Sequence, residues 1–151
     1  MDRLDLERYL HDHIPVSAAM GIHVERIGSD TIVLSAPLDL NVNHHRTAFG
    51  GSISALATLA AWSYVHLLLG AREVHAALVI QRHEIDYLKP IAGEFTAESA
   101  PAGPDDIRRF FEQIAARGKG RLSVKAAVRF GGQTCAEFVG QFVAIVDSGQ
   151  E

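Results

Sequence analysis

Apolar and polar positions along the chain change period several times, and each change marks an element. Residues 3–12 carry Leu4, Leu6, Tyr9 and Leu10 among Asp5, Glu7, Arg8 and Asp12, the spacing of a short helix with one apolar face. Pro15 ends it, and Ile14, Val16, Ala18, Ala19 and Met20 predict a second short helical turn packed on the main body. Ile22, Val24 and Ile27, then Thr31 to Leu34, predict two strands joined by the turn Gly28-Ser29-Asp30. No Asp, Glu, Lys or Arg lies between Arg46 and Arg72, so residues 51–69 read as one long helix, apolar almost all the way round and stopped at Gly70. A helix apolar on every face must be wrapped by other structure, which makes it the expected axis of the core.

Residues 74–88 have strand character, but the apolar positions change sides along the run. Ala76, Leu78 and Ile80 are followed in their own phase by Arg82, Glu84 and Asp86, while Ile85 and Tyr87 carry on in the opposite phase. This predicts a long twisted strand with its two ends covered differently. Lys89 to Gly93 turn the chain, and Glu94 to Ala100 alternate as a half-buried strand. Asp105-Asp106 open a short helix with the stripe Ile107, Phe110, Phe111 and Ile114, and Arg117-Gly118-Lys119-Gly120-Arg121 is expected to end it as a basic turn. Leu122–Phe130 and Gln133–Val146, joined by Gly131-Gly132, predict a hairpin in the edge region of the sheet. Strands arriving in hairpin pairs exclude a βαβ array. The expected fold is α+β, one domain over residues 1–151, with a six-stranded antiparallel sheet curved around one long helix.

Composition narrows this picture. A length of 151 residues suffices for one real core, and a net charge of -4 argues against non-specific nucleic-acid binding. The long apolar helix is interrupted by Ser52, Ser54, Thr58, Ser63 and His66, which disfavours a membrane span. One cysteine, Cys135, allows neither an internal disulfide nor a Cys-based metal site, and the charged N-terminus is unlike a signal peptide. The expected location is therefore the cytoplasm.

The polar loop before the long helix, Asn43-His44-His45-Arg46-Thr47-Ala48-Phe49-Gly50-Gly51, resembles the active-site loop of hotdog-fold thioesterases, and Ile85-Asp86-Tyr87-Leu88-Lys89-Pro90-Ile91-Ala92-Gly93, with its Tyr-Leu-Lys-Pro, resembles the strand of that family that ends in a Pro and a Gly. With Thr47-Ala48-Phe49-Gly50-Gly51-Ser52, and over nearly the whole chain, the likeness is greatest to the YiiD-type thioesterase domain. Two departures stand out: Phe49 occupies a position where many relatives have His, and Thr58 stands one position from where many place a catalytic Asp on the helix. The resemblance implies hydrolysis of an acyl-CoA or acyl-carrier-protein thioester by a homodimer or dimer of dimers, with no cofactor beyond the coenzyme A of the substrate.

Thioester hydrolysis needs donors for the carbonyl oxygen and a positioned water with a proton acceptor. Gly51, with Gly50 as second choice, is the expected oxyanion donor, because the first N–H groups of a helix are free and glycine permits close approach. No carboxylate lies between Asp39 and Glu73. The candidates for handling the water are therefore Asn43, which orients but does not deprotonate it; His44 or His45; Thr58 and Ser54; and Glu84 or Asp86 on the facing strand, with Glu84 expected to reach across from a partner subunit. Asn43, His45, Gly51, Thr58 and Glu84 form the candidate catalytic set. His44, Phe49, Gly50 and Ser52 are assigned to substrate, and Arg117, Lys119 and Arg121 to the phosphates of coenzyme A.

Each has a plainer role to weigh against this. Asn43 suits a loop-internal turn, Ser and Thr on a buried helix bond back to the preceding turn, and basic turns are commonly solvated. His11 and His13 are expected at the surface, Cys135 is expected to pack, and no metal site is expected. Besides a thioesterase, the chain fits a non-catalytic acyl-thioester binding module. A dehydratase of the same fold fits less well, because the helix offers no carboxylate to face a His.

Overall fold

The computed structural model describes residues 1–147. Two short helices, α1 (Arg3–His13) and α2 (Pro15–Ala19), precede the strands β1 (His23–Ile27) and β2 (Ile32–Ala36). The long helix α3 (Gly50–Ala71) follows, then β3 (Ala76–Tyr87), β4 (Phe95–Ser99), α4 (Pro104–Arg117), β5 (Lys119–Phe130) and β6 (Gln133–Val146). The strands form one antiparallel six-stranded sheet in the order β1-β2-β4-β5-β6-β3. It curls around α3, the hotdog arrangement.

α3 is long and apolar enough to cross a membrane by length and composition, yet 56% of its most apolar window is buried within this one chain. Leu56, Ala57, Ala60, Ala61 and Val65 are fully enclosed, with Phe95, Leu122, Val124 and Phe142 of the sheet in the same core. Burial of each large side chain contributes about 1.5–3 kcal/mol, so this layer dominates the stability.

Three details depart from the expected layout. The β5–β6 hairpin is interior, and the edges of the sheet are β1 and β3. β3 and β4 do not pair: β3 lies beside β6, whereas β4 lies between β2 and β5. The Leu88–Glu94 connection crosses about 15 Å of sheet to do this, well within the reach of an extended chain. The basic run is not a turn. Gly118, at φ 71, alone stops α4 in the left-handed conformation, and Lys119 to Arg121 already belong to β5, paired with Ile145 to Val143.

The change of face along β3 has a specific cause. Its register against β6 slips between Ile80 and Arg82, a β-bulge at Gln81. Before the bulge Ala76, Leu78 and Ile80 are the half-buried positions; after it Ile85 takes over, with Glu84 and Asp86 exposed.

Candidate functional site

The polar loop and the start of α3 are built as one unit. Asn41 is buried, and its Nδ2 donates to the carbonyls of Met20 (2.9 Å) and Pro37 (2.7 Å). Its own carbonyl accepts from Phe49 N–H at 2.7 Å, while Ala48 N–H donates to Ile91 O at 2.8 Å. The loop is thereby clamped at its base between the body of the protein and the segment that follows β3. Within it, Asn43 Nδ2 donates to Thr47 Oγ1 (2.9 Å), and Asn43 Oδ1 accepts from the N–H groups of His45 (2.8 Å) and Thr47 (3.1 Å). The Asn43 side chain thus organises the tip of the loop, the turn role open to it from the sequence. Arg46 completes the turn in the left-handed region, φ 63.

At the helix start Phe49 is the N-terminal cap in extended conformation, with no side-chain cap bond. Its carbonyl accepts from both Ser52 N–H (2.9 Å) and Ile53 N–H (3.1 Å). Among the described residues this leaves the N–H groups of Gly50 and Gly51 without an acceptor, at the positive end of a 22-residue helix. Gly51 is exposed and Gly50 half-buried. The Phe49 ring lies directly over Gly51 and is 57% exposed. On the other side Tyr87 Oη donates to Gly50 O at 3.0 Å. A cleft of about 240 Å³ opens here, lined by Ala48, Gly50, Ile53, Tyr87, Leu88 and Pro90 among others.

Farther along the helix, Ser54 Oγ donates to Gly51 O (3.0 Å) and Thr58 Oγ1 to Ser54 O (2.8 Å), the back-bonding expected of hydroxyls on a buried helix. Thr58 is two turns from Gly51, about 10 Å of helical rise, well along the helix from the oxyanion position. Ser52 is half-buried in the first turn. His44 and His45 are exposed on the loop, ring against ring with centroids 3.9 Å apart.

Two sets of expected residues are not brought to the helix start. Glu84 lies in one row with Val139 and Lys125, and Asp86 with Glu137 and Ala127. That is the face of the sheet opposite Ile85, Phe138 and Ala126, which pack toward α3, so both carboxylates point away from the helix. Arg117, Lys119 and Arg121 flank a separate cleft of about 380 Å³ with Gln113. Lys119 and Ala77 both pair with Ile145, and Ala77 is ten strand residues from Tyr87, so these cations sit about 30 Å from Gly50 in the same chain.

Tyr87 and Asn41 are the site residues that the candidate set omits. Tyr87 belongs to the Tyr-Leu-Lys-Pro stretch that carried the resemblance, so a signal for it was present; nothing local to Asn41 marks its burial. Among the described residues no group of three or more His, Cys, Asp or Glu side chains is arranged to hold a metal ion. Cys135 is buried, as expected of a packing residue, while His11 is partly buried, with Nε2 2.8 Å from Ile22 O.

Known structures reproduce this architecture. A protein of unknown function from Chlorobaculum tepidum TLS superimposes with a TM-score of 0.91 at 28% identity, over 96% of this chain and 94% of the other. A protein described as a "putative thioesterase" from Shewanella oneidensis does so with a TM-score of 0.81 at 28% identity, over 95% and 96% of the two chains. A thioesterase from Haemophilus influenzae shares the fold at 16% identity, with a TM-score of 0.78 over 100% and 94%. The family described as "Putative thioesterase (yiiD_Cterm)" matches residues 3–146, and the chain belongs to it.

Proposed function

We propose that the protein hydrolyses an acyl thioester, carried on coenzyme A or on an acyl-carrier protein, with the thioester carbonyl held at the start of α3. The observation that carries this reading is the pair of acceptor-free N–H groups of Gly50 and Gly51 at the start of α3, beside a largely apolar cleft that Gly50 lines. Free N–H donors are what a carbonyl oxygen requires as it gains charge, and the helix dipole adds to them. Family membership supports the same chemistry.

For the water, the exposed histidines of the Asn43 loop are the proton acceptors that the chain places just before the start of α3, and we assign the role to His45, with His44 beside it. Asn43 acts through the shape of the loop. A homodimer completes this reading: among the described residues no strand pairs with the outer side of the 12-residue β3, which a second copy can cover. A site shared between two copies is also what would bring Thr58 of one chain to the loop of the other.

The test is release of free thiol from short, medium, long and aromatic acyl-CoAs by the purified protein, beside Asn43→Ala and Thr58→Ala. Turnover that falls in both variants supports the proposal and names the acyl class. Silence across the panel, with acyl-CoA still binding in a calorimeter, replaces it with the non-catalytic binding module.

A further inference from the structure

The bond from Tyr87 to the start of α3 acts on one peptide unit. Gly50 C=O, which accepts from the phenol at 3.0 Å, and Gly51 N–H, which has no acceptor, are the two ends of the same planar trans amide. A donor fixed on the oxygen of that plane fixes the direction of the N–H on its far side. It also draws electron density toward the oxygen, which makes the N–H a stronger donor, since hydrogen bonds in series polarise one another. The placement is close: a Cβ built on Gly50 would stand 3.6 Å from Tyr87 Cζ and 3.7 Å from its Oη, so ring and hydroxyl both rest against this residue.

The Gly50 carbonyl also belongs to the first turn of α3, so the phenol is a second donor to it, arriving from outside the helix. Gly50 and Gly51 are the two residues of the chain's first α3 turn with the widest backbone freedom, and the cap residue Phe49 supplies no side-chain bond. Tyr87 reaches them from 37 residues away, from the last residue of β3.

We infer that Tyr87 is a positioning residue for thioester hydrolysis, orienting and polarising the Gly50–Gly51 amide so that Gly51 N–H meets the developing oxyanion. This rests on the thioesterase reading above and assigns Tyr87 no contact with the reacting atoms. No proton leaves the phenol. It donates to Gly50 O throughout, and the amide donates in turn to the substrate oxygen.

The test compares wild type, Tyr87→Phe and a protein with 3-fluorotyrosine at position 87, at a pH where the phenol stays protonated. Tyr87→Phe keeps the ring against Gly50 and removes only the bond. The expected result is a kcat lowered about 3- to 10-fold with KM little changed, the size of one neutral hydrogen bond expressed in the transition state. The fluorinated phenol, a stronger donor, is expected to hold kcat at or above wild type.

The second readout is the backbone ¹⁵N resonance of Gly51, which responds to hydrogen bonding at the preceding carbonyl. It is expected to move in opposite directions in the two variants. An unmoved Gly51 resonance, or an active wild type whose kcat is unchanged in Tyr87→Phe, overturns the role of Tyr87 and leaves the thioesterase reading standing. A wild type silent on every thioester overturns both, and the Gly51 resonance then reports a bond with structural consequences alone.

Discussion

The ring of Phe49 covers Gly51 so closely that a Cβ at residue 51 would lie 2.3 Å from Phe49 Cε2 and 2.9 Å from Cζ. Gly51→Ala must therefore displace that ring. Because Phe49 is more than half exposed, the ring can swing outward, and the cost in stability is expected to stay below about 1 kcal/mol. Activity is more sensitive, since the methyl group and the displaced ring both crowd the donor: a fall in kcat/KM of about 10²-fold is expected, comparable to losing one oxyanion donor. Thermal melting beside thiol release checks this. A large drop in Tm with turnover intact would mean that Phe49 and Gly51 matter to the fold and not to the carbonyl.

Asn43 makes three side-chain hydrogen bonds inside its own loop. Asn43→Ala removes all three and is expected to cost about 1–2 kcal/mol, less than their sum because the loop is partly solvated. Asn43→Asp retains the acceptor for the His45 and Thr47 N–H groups and is expected to recover most of that loss. If Asn43 works by shaping the loop, turnover follows the same order, and Thr47→Val falls between wild type and Asn43→Ala. Denaturant unfolding with turnover on the same four proteins tests the ranking; an Asp variant as stable as wild type but inactive would give the Asn43 amide a direct role.

How far the sequence speaks depends on the range over which the information lies. The apolar run of α3 and the stop at Gly118 are local, and both are legible from a few residues. The shift of apolar phase in β3 is also local and corresponds to a bulge at Gln81. What the pattern did not contain is pairing. Nothing near Gln133–Val146 says that β6 is flanked by β3, so a hairpin bounded by glycines reads as an edge. The same limit applies to Glu84. Its chemistry suits a general base, but the face it occupies is decided by a bulge three residues away and by Val139 and Lys125 beyond it. The Tyr87–Gly50 bond likewise joins residues 37 apart.

His66 gives the protein a pH-dependent stability. Its ring lies against both Tyr9 and Trp62, each with its centroid 4.8 Å away and 6.3 Å from each other, and His13 stacks on Tyr9 at 4.2 Å. Burial pushes the imidazole below its ordinary value of 6.5, and the positive charge of His13 pushes the same way. The unfolded chain thus binds a proton at His66 more readily than the folded one. Stability from this group is complete above about 6.5, falls as the pH drops below that value, and stops falling once the folded-state pKa is passed. His66→Gln, which does not titrate, is expected to lose less Tm than wild type between pH 7.5 and 5.5. Parallel curves for the two proteins would show that His66 charges as freely in the folded chain as in the unfolded one.

The last prediction concerns the free edge of β3. A 12-residue edge strand with Val79 at 49% exposure is a template for another strand: among the described residues no strand pairs with its outer side, and α3 reaches its backbone through Trp62 Nε1, which donates to Leu78 O at 3.0 Å. An antiparallel pair of copies of one strand brings its middle residues close to their own counterparts. Val79→Lys combined with Gln81→Lys therefore places like charges near each other across such a junction while leaving the β3–β6 ladder in place. Wild type is expected to sediment at twice the 16.4 kDa chain mass or a multiple of it, and the double variant to shift toward the single chain. If the site is shared between copies, turnover falls in proportion to the dissociated fraction and returns at high protein concentration. Wild type sedimenting as one chain at every concentration would remove the dimer, and a dissociated variant with full turnover would place the whole site within one copy.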